Sequence, residues 1–374
     1  MKNIVFAGGG TGGHFYPIVA IIRELKKISD NNLQFYFITP EKINDLVLEN
    51  EGVIFKRIFS GKLRRYLSIK NLASPFKIIY GLIQSLALFK EINPKMVFLK
   101  GGYGALPVGL AALFFRTPII IHESDTKPGL MNRLFHKFSI LTLISFKETK
   151  NYLRIFPEKI RLVGNPVRNL SSAYTQNEAK NKLGFSEKKP LILVLGGSQG
   201  SEEINELIFN LLDKLVVNFS IIHGVGKVGY KNYHDKLCEY SDKKKNLFKE
   251  YKIYEYFDED MLRTIYKACD VVISRSGASI IFEISEAKKP AILIPLMSSA
   301  ANHQLENAYS YMSSGACIAM ESPNLNRNVF FENIINLLKD KKRIDEMTKA
   351  AEHFSKPRAA ENIAKIIKEN ISKS

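Results

Sequence analysis

The sequence predicts an α/β protein with two Rossmann-like domains, each built on a doubly wound parallel sheet. Three observations predict this fold class. The chain has 374 residues, which exceeds the size at which a single hydrophobic core keeps growing. Hydrophobic residues make up 45% of it, enough for two cores. An apolar strand that ends in a glycine-rich turn and runs into a helix opens the chain, and the same pattern returns near its middle.

The charge balance is strongly basic, with 54 Lys and Arg against 37 Asp and Glu, a net charge of +17. Such an excess suits nucleic acid, an anionic membrane surface or phosphorylated substrates. Nucleic acid is disfavoured, because the basic residues are not interleaved with aromatic residues and no reading module is present. The three isolated cysteines, Cys238, Cys269 and Cys317, lack disulfide or metal-ligand spacing. The last two lie in apolar runs, which predicts small core residues in a reducing compartment.

The first residues run directly into a strand at Lys2–Ala7, which indicates that the chain carries no signal peptide. No window reaches the roughly 20 uncharged apolar residues that a transmembrane helix needs. We therefore expect a cytoplasmic protein that is either soluble or peripheral to a membrane.

The first strand, Ile4–Ala7, ends in a turn with five glycines in six positions, Gly8 to Gly13, followed by His14. Without Cβ atoms the backbone can approach a ligand closely, and diphosphate is the natural ligand of such a turn. The spacing differs from the dinucleotide fingerprint and no acidic residue ends the second strand, Leu33–Ile38, so an NAD enzyme is disfavoured. His14 begins the helix, whose dipole opposes protonation and keeps the imidazole neutral, as a general base requires. The alternative is a histidine that only caps the helix.

Residues 62–93 form a segment of distinct character. Lys62–Tyr66 is basic, and Phe76–Phe89 carries apolar residues around most of the helix circumference. Such a helix must bury a second face, either in a membrane interface beside the basic residues or against protein on both sides. The residues alone leave these two alternatives open.

Two further strands deliver candidate residues to the carboxyl edge of the first sheet. Met96–Leu99 leads into the glycine turn Gly101–Gly104. Pro118–Ile121 leads into three polar side chains: His122, Glu123 and Asp125. Strand ends face the ligand crevice in doubly wound folds, so we expect these side chains to be well placed for chemistry.

The strongest functional signal in the second half follows the apolar run Cys269–Ile273, which predicts a buried strand. Arg275–Ala278 then forms a small-residue turn that starts a helix, where backbone N–H groups and the helix dipole attract phosphate. Glu283 lies one to two turns into that helix, where its carboxylate can accept both hydroxyls of a ribose. The alternative is a surface glutamate that only stabilises the helix. A further strand, Ala291–Pro295, leads into a polar loop that brings Gln304 towards the same pocket.

Five separated motifs occur in order along the chain: Gly9–His14 (GGTGGH), Gly101–Gly104 (GGYG), Gly164–Arg168 (GNPVR), Gly196–Gly200 (GGSQG), and Arg275–Ala278 with Glu283 and Gln304 (RSGA…E…Q). In these motifs the chain resembles the bacterial UDP-N-acetylglucosamine transferases of glycosyltransferase family 28, which glycosylate lipid I during peptidoglycan synthesis. The resemblance covers essentially the whole chain and implies the GT-B fold, in which two Rossmann-like domains face each other across a cleft. It implies an acceptor- and membrane-binding domain at residues 1–165 and a UDP-sugar donor-binding domain at residues 166–356. The C-terminal helix, residues 357–374, is expected to pack back on the first domain.

The resemblance also implies a reaction and a site. The reaction is inverting transfer of N-acetylglucosamine from UDP-N-acetylglucosamine to the 4-hydroxyl of the muramoyl sugar of lipid I, which gives lipid II. His14 is the implied general base and Glu123 the alternative, and helix N-termini with loop amides stabilise the departing UDP without a required metal or other cofactor. The implied donor-binding residues are Thr11, Gly12, Gly13, Asp125, Arg168, Ser198, Phe257, Arg275, Ser276, Gly277, Ala278, Glu283 and Gln304. The implied acceptor-binding residues are Gly102, Tyr103 and Gly104.

Two positions depart from the family pattern. The family usually has Gln-Asn where this chain has Ser124-Asp125, and two glutamines where it has His303-Gln304. Asp125 binds a sugar hydroxyl, takes a proton or adjusts a neighbouring group, and these alternatives stay open; His303 receives no role. Because family members are peripheral proteins, the resemblance implies that residues 62–89 contact an anionic membrane surface, at the cytoplasmic face of the inner membrane.

Two other classes of function remain compatible with the residues. One is a different GT-B enzyme, either a transferase for diacylglycerol or a small-molecule acceptor or a UDP-sugar epimerase. The donor half of these enzymes would look the same, so only the acceptor chemistry discriminates. The other is a non-catalytic sugar-nucleotide-binding subunit, which would have lost His14, Glu123 and the glycine turns that this chain keeps.

Overall fold

The structure, a computed structural model, describes residues 1–373 apart from 10–11, 30–31, 42–43, 62–72, 198–199, 242–248, 298–301 and 323–324. The chain divides into two compact units. Unit 1 comprises Met1–Val167 and Lys356–Ser374, and unit 2 comprises Arg168–Ser355. Each unit contains one parallel sheet covered by helices.

Unit 1 is built on a seven-stranded parallel sheet. Its strands are β1 Lys2–Ala7, β2 Leu33–Thr39, β3 Ile54–Arg57, β4 Met96–Leu99, β5 Ile119–Glu123, β6 Leu141–Ile144 and β7 Ile160–Leu162. They lie in the order β3-β2-β1-β4-β5-β6-β7, so the direction in which strands are added reverses between β1 and β4. In doubly wound sheets ligands bind beside the carboxyl ends of the strands at this switch point.

Helices cover both faces of this sheet. They are α1 Gly12–Ile28, α2 Asp45–Asn50, α3 Ala73–Ile92, α4 Ala105–Phe114 and α5 Leu130–Phe135, with 3-10 turns at Lys147–Tyr152 and Pro157–Lys159. On β1, Ile4 and Phe6 belong to the core that contains α1, whereas Val5 and Ala7 belong to the core that contains α4. Because both faces are buried from Ile4 to Ala7, this part of β1 is a continuous apolar run and does not alternate.

Unit 2 repeats this architecture on a six-stranded parallel sheet. Its strands are β8 Leu191–Leu195, β9 Ser220–Gly224, β10 Tyr251–Tyr254, β11 Val271–Ser274, β12 Ala291–Leu293 and β13 Cys317–Ala319. Its helices are α6 Gln176–Lys182, α7 Glu202–Asn210, α8 Leu212–Asn218, α9 Tyr230–Ser241, α10 Glu259–Ala268, α11 Ala278–Glu286, α12 His303–Ser313, α13 Arg327–Lys339 and α14 Lys341–Phe354. The order β10-β9-β8-β11-β12-β13 places the switch point between β8 and β11.

The last helix, α15 Ala359–Lys373, belongs to unit 1. Its apolar side chains Ile363, Ile367 and Ile371 are buried in the core that contains α1. Lys2 Nζ donates a hydrogen bond to the carbonyl of Ile371 at 3.0 Å. The amphipathic pattern of this helix is therefore explained by packing within unit 1.

The two Rossmann-like parallel sheets predicted from the sequence are confirmed, but some strands differ from expectation. β4 and β8 have the predicted bounds, whereas β5 extends two residues beyond the predicted Ile121, so that His122 and Glu123 are its last residues. The sequence did not predict four of the observed strands: β3, β6, β7 and β13. They are three or four residues long, and β3 and β7 lie at the sheet edges, where half-exposed strands need no apolar run.

The apolar helix expected within residues 62–93 is α3, while the basic stretch Lys62–Tyr66 lies outside the described residues. Within unit 1, the α3 side chains Ser85, Phe89 and Ile92 are buried. Among the residues that the structure describes, no helix combines the length and apolar character needed to cross a membrane.

Candidate active site

The His14 side chain packs against the glycine turns that follow β1 and β4. A methyl group on Gly9 would lie 3.1 Å from Nδ1 of His14. One on Gly102 would lie 3.5 Å from Cε1 of the same ring and 2.6 Å from Cα of Gly9. Only glycine leaves room for this approach. Since Gly12 and Gly13 are the first residues of α1, the predicted base lies at the helix N-terminus beside the predicted acceptor turn.

The turn after β4 adopts a conformation that favours glycine. Gly102 has φ +78°, in the left-handed region. A methyl group on Gly104 would lie 2.5 Å from the carbonyl oxygen of Gly8. The Tyr103 hydroxyl donates to Glu41 at 2.7 Å. The three predicted acceptor residues therefore form a tight turn that packs on the first glycine turn.

Glu123, the last residue of β5, uses both carboxylate oxygens to hold the loop that leads to α5. Oε1 accepts from the N–H of Asp125 at 3.0 Å, and Oε2 accepts from the N–H of Gly129 at 2.9 Å and from Nδ2 of Asn132 at 2.8 Å. Burial and the Asp125 carboxylate raise the pKa of Glu123 to about 7, while the three N–H donors favour its ionised form. This engagement favours an ordering role, so of the two predicted bases the geometry favours His14.

His122 and Asp125 occupy different environments. His122 is fully buried and its Nε2 donates to the carbonyl of Gly164 at 2.9 Å. Burial and the neighbouring Lys100 hold the pKa of His122 well below its usual value. Asp125 is partly exposed, and its backbone carbonyl accepts from the Thr149 hydroxyl at 3.2 Å. His122 is thus a neutral core histidine, whereas Asp125 is partly exposed.

In unit 2, β11 delivers the chain into an open helix N-terminus. Gly277 precedes α11, no described side chain caps the helix there, and a methyl group on Gly277 would meet no described atom within 4 Å. The buried Ser276 hydroxyl donates to the carbonyl of Gln304 at 2.7 Å, which ties the turn to the start of α12. Open space thus adjoins Gly277 at the N-terminus of α11, and the backbone N–H groups and dipole of a helix N-terminus attract phosphate.

Two predicted donor-binding residues use their side chains to fix neighbouring loops. The Arg275 guanidinium pairs with Glu203 at 2.7 Å, donates to the carbonyl of Ile294 at 3.2 Å, and is buried. Gln304 Oε1 accepts from the N–H of Leu296 at 3.0 Å. These contacts support the turn before α11, and direct contact of either side chain with the donor stays a prediction.

Glu283 and Arg168, both predicted to bind the donor, form an ion pair within unit 2. Arg168 Nε donates to Glu283 Oε1 at 3.0 Å, and both side chains are largely buried. The buried Tyr266 lies beside them; burial, with the Glu283 charge, raises the pKa of its hydroxyl. Arg168 therefore orients the Glu283 carboxylate and balances its charge. The sequence pattern did not reveal this pairing, because 115 residues separate the partners.

Of three further residues predicted to bind the donor, the structure describes Phe257 but not Thr11 or Ser198. Phe257 is buried, and its ring lies so close to Gly224 that a methyl group there would be 2.7 Å from it. Contact of its backbone with a uracil stays a prediction. Thr11 and Ser198, from the two glycine-rich turns, lie outside the described residues.

A buried polar network beside the second glycine turn was not predicted from the sequence. His223 Nε2 donates to Oδ1 of Asn205 at 3.0 Å, and its Nδ1 accepts from the Tyr251 hydroxyl at 2.9 Å. Asn205 Nδ2 in turn donates to the carbonyl of Val225 at 3.0 Å. A methyl group on Gly200 would lie 2.3 Å from that carbonyl, so the network supports the turn after β8. The sequence signal that could have revealed this network is His223, a histidine that directly follows the apolar residues Ile221 and Ile222 of β9.

Protonation of His223 in the unfolded chain is expected to weaken unit 2 at low pH. Burial lowers the pKa of His223 to about 3, whereas an unfolded histidine has a pKa of about 6.5. Between these values the unfolded state binds one more proton, so the free energy of unfolding falls by about 1.4 kcal/mol per pH unit below about 6.5. Urea unfolding across this range measures the slope. His223→Gln is expected to reduce this slope, and the control His353→Gln, at an exposed histidine, is expected to leave it unchanged. An unchanged slope in His223→Gln would contradict the low pKa assigned to His223.

The described cysteines are all free, with Cys269 and Cys317 buried and Cys238 exposed. Burial raises the pKa of Cys269 to about 11, so it stays a thiol. The prediction that the two cysteines in apolar runs are core residues is confirmed. In the described part of the chain, no three His, Cys, Asp or Glu side chains lie together as a metal site requires.

Comparison with known proteins gives the family. The glycosyltransferase family 28 N-terminal domain matches residues 4–140, and the glycosyltransferase family 28 C-terminal domain matches residues 191–363. The first match covers β1 to β5 of unit 1, and the second covers all six strands of unit 2. Together they cover most of the chain, as the five sequence motifs predicted.

Relatives and a solved structure agree with this. A Clostridium botulinum (strain Hall) protein named UDP-N-acetylglucosamine–N-acetylmuramyl-(pentapeptide) pyrophosphoryl-undecaprenol N-acetylglucosamine transferase is 36% identical over 366 residues, 93% of this chain and 99% of the relative. A Legionella pneumophila (strain Paris) protein of the same name is 37% identical over 375 residues, 98% of this chain and 96% of the relative. The crystal structure of Acinetobacter baumannii MurG has a TM-score of 0.73 at 23% identity, covering 99% of this chain and all of that one, and supports the fold. The chain therefore belongs to glycosyltransferase family 28.

Proposed function

We propose that this chain transfers N-acetylglucosamine from UDP-N-acetylglucosamine to the 4-hydroxyl of the muramoyl sugar of lipid I, forming lipid II with inversion at the anomeric carbon. The observation that carries this proposal is the full-length relationship, at 36–37% identity, to proteins named for this transfer. The two parallel-sheet units and the glycine turns support it. We assign the UDP moiety of the donor to unit 2 and the acceptor to unit 1, and the donor-binding roles of Gly12, Gly13 and Asp125 in unit 1 stay predictions.

The donor half of the proposal rests on the open N-terminus of α11 and on the oriented Glu283. The diphosphate lies at Gly277 and Ala278, where open space adjoins the uncapped helix N-terminus. The Glu283 carboxylate, oriented by Arg168, accepts hydrogen bonds from the ribose hydroxyls. As the glycosidic C–O bond breaks, the electron pair leaves with UDP, and the helix N-terminus stabilises the added negative charge.

The acceptor half rests on His14 and the turn after β4. The 4-hydroxyl oxygen attacks the anomeric carbon of the donor sugar, and its proton passes to the imidazole of His14. The turn Gly102–Gly104, packed against the ring of His14, positions the acceptor. Glu123 orders the neighbouring loop, in which the carboxylate of the partly exposed Asp125 accepts a hydrogen bond from a hydroxyl of the donor sugar.

The identity of the acceptor distinguishes this reaction from the alternatives. Purified protein is incubated with UDP-N-acetylglucosamine that carries a radiolabelled sugar. Three reactions run in parallel: one with a short-chain lipid I analogue, one with diacylglycerol and one without an acceptor. We expect label in the lipid I analogue alone, with an equal amount of UDP released. Label in diacylglycerol would indicate another transferase, a changed donor sugar without acceptor would indicate an epimerase, and donor binding without turnover would indicate a non-catalytic subunit.

The same proposal includes binding of unit 1 to an anionic membrane surface, with α3 as the element that contacts the membrane. Four large apolar side chains of this helix are each more than half exposed: Phe76, Ile79, Tyr80 and Ile83. Their spacing places them on one helix face, with the exposed Lys77 beside them. The ring of Phe59 lies 5.4 Å from that of Tyr80 and enlarges the apolar surface. An apolar face beside basic residues, in a chain of net charge +17, suits an anionic bilayer interface.

The double substitution Ile79→Ser/Ile83→Ser is expected to weaken binding to anionic liposomes by about tenfold or more. Full burial of an isoleucine side chain stabilises the bound state by about 1.5–3 kcal/mol, and partial insertion into the bilayer gives part of this free energy. Liposome co-sedimentation measures the change. The matched control, Val329→Ser, removes a half-exposed apolar residue on α13 and is expected to bind like the wild type. Undiminished binding of the double variant would exclude this face.

A further inference from the structure

Two helices begin at the switch point of the sheet in unit 2. The glycine turn after β8 leads into α7, and Arg275–Gly277, after the neighbouring strand β11, leads into α11. The two strand ends are joined, since the Ser274 hydroxyl donates to the carbonyl of Leu195, the last residue of β8, at 3.0 Å. Ligands of doubly wound sheets bind at the carboxyl ends of the strands beside this point. Either helix N-terminus could therefore serve a bound anion.

The two N-termini differ in how well they suit an anion. α7 begins with Glu202 and Glu203, and the hydroxyl of its N-cap residue Ser201 accepts from the N–H of Ile204 at 3.3 Å. α11 has no acidic residue in its first turn, and no described side chain caps it. Carboxylates repel an anion, and a capping hydroxyl occupies an N–H group that the anion would use. The diphosphate therefore suits α11, which leaves α7 as a supporting element.

Glu203 of α7 forms an ion pair with the turn that precedes α11. Its Oε2 lies 2.7 Å from Nη2 of Arg275, and Nη1 of Arg275 donates to the carbonyl of Ile294 at 3.2 Å. The Arg275 side chain is largely buried and that of Glu203 is partly exposed. Because Arg275 is the first residue of the turn, its guanidinium connects the turn to α7 and to the segment after β12.

The partners of this ion pair belong to elements that are themselves held in place. On α7, Nδ2 of Asn205 donates to the carbonyl of Val225 at 3.0 Å. The turn before α11 is held by α12, since Nδ2 of Asn307 donates to the carbonyl of Ser276 at 3.2 Å. Glu203 thus joins a fixed helix to a turn that α12 supports as well.

We propose that Glu203 is a positioning residue for the donor: through its ion pair with Arg275, it sets the place at which the turn before α11 holds the diphosphate. This inference rests on the proposed function, because diphosphate binding at the N-terminus of α11 is part of it. Glu203 acts through Arg275. Its negative charge alone would weaken the binding of an anion, so the length and the charge of this side chain have opposite effects on UDP binding.

Glu203→Asp separates length from charge, because it keeps the carboxylate and shortens the side chain by one methylene group. We expect the dissociation constant of UDP to rise about tenfold, since a displaced turn no longer matches the diphosphate. The dissociation constant of uridine, which lacks the diphosphate, should stay within about twofold. Isothermal titration measures UDP, ligand-observed nuclear magnetic resonance measures uridine, and a thermal melt shows that the variant is folded.

Glu203→Gln makes the complementary change, because it keeps the length and one acceptor oxygen and removes the charge. Its dissociation constant for UDP is expected to stay within about threefold of wild type, since the contact with Arg275 persists. A role through charge alone predicts the reverse, with Glu203→Asp like the wild type and Glu203→Gln binding UDP more tightly. That result would overturn the proposal.

Glu202→Asp is the matched control, since Glu202 precedes Glu203 on α7 and accepts from the Tyr233 hydroxyl at 3.0 Å. The same shortening at this position is expected to change the dissociation constant of UDP by less than about twofold. A loss as large as that of Glu203→Asp would show that the effect is not specific to the ion pair, and would overturn the proposal.

A double-mutant cycle tests whether Glu203 acts through Arg275. Arg275→Lys alone is expected to weaken UDP binding, and adding Glu203→Asp should cause little further loss, because the pair is already broken. Losses that add in the double variant would overturn the proposal.

These measurements use UDP without an acceptor, which separates this inference from the proposed function. A wild type that binds UDP but does not use lipid I would overturn the proposed transfer alone. A wild type that does not bind UDP would overturn both. A folded Glu203→Asp variant that binds UDP like the wild type would overturn this inference alone.

Discussion

Replacement of His14 with alanine is expected to lower kcat for transfer to a lipid I analogue by about 10²–10⁴-fold, the range that a general base contributes. The imidazole is the group that we assign to take the proton of the 4-hydroxyl, and its ring lies against Gly102 in the predicted acceptor turn. Because we assign the UDP moiety to unit 2, the dissociation constant of UDP is expected to change by less than about twofold. UDP release with both substrates saturating measures kcat.

His234→Ala, an exposed histidine on α9, is the matched control for this substitution and should turn over like the wild type. The pH profile gives a second readout, since His14→Ala should lose the limb that reports ionisation of the base. If His14→Ala kept a kcat within about threefold of wild type, the proton would pass elsewhere, and Glu123 would again become the leading candidate.

Replacement of Glu283 with alanine is expected to weaken UDP binding by about 10²-fold or more. A hydrogen bond to a charged group contributes about 1.5–3 kcal/mol, and the proposed carboxylate accepts from both ribose hydroxyls. The substitution also removes the partner of the buried Arg168. Isothermal titration with UDP measures the loss, and a thermal melt shows whether the variant is folded.

The preference for UDP over 2′-deoxy-UDP tests the ribose contact more sharply. Wild type should prefer UDP by about tenfold or more, and Glu283→Ala should lose most of that preference, since the hydroxyl then has no carboxylate to bind. Glu286→Ala removes a carboxylate less than one turn further along α11, where it accepts from Ser355 at 2.7 Å, and should keep the preference. An undiminished preference in Glu283→Ala would place the ribose elsewhere.

Much of the fold was predictable, because its signals are local in the sequence. The strands β4 and β8 are uninterrupted apolar runs that end in glycine, and a parallel strand buried on both faces requires such a run. The turns at Gly102 and Gly277 could be located in the same way, since each joins a strand to a helix within a few residues. Edge strands β3 and β7 were missed because half-exposed strands carry charged residues that break the pattern.

The support of the candidate site was not predictable, because its contacts join residues that are far apart in the chain. Three side chains that hydrogen-bond with Lys100 lie 22, 24 and 65 residues away from it, so in the sequence it is an ordinary lysine beside a glycine turn. The pairing of Arg168 with Glu283 is equally distant. Local patterns and family resemblance indicated the candidate ligand-binding residues, whereas the three-dimensional packing reveals the residues that hold these candidates in place.

The most direct test of the central claim is the structure of the product formed from UDP-N-acetylglucosamine and a short-chain lipid I analogue. Nuclear magnetic resonance of the purified product identifies both the oxygen that has been glycosylated and the configuration of the new bond. We expect N-acetylglucosamine in β linkage on the 4-oxygen of the muramoyl sugar, with an equal amount of UDP released. An α linkage, a bond to another oxygen, or an unchanged acceptor in the presence of bound donor would contradict the account.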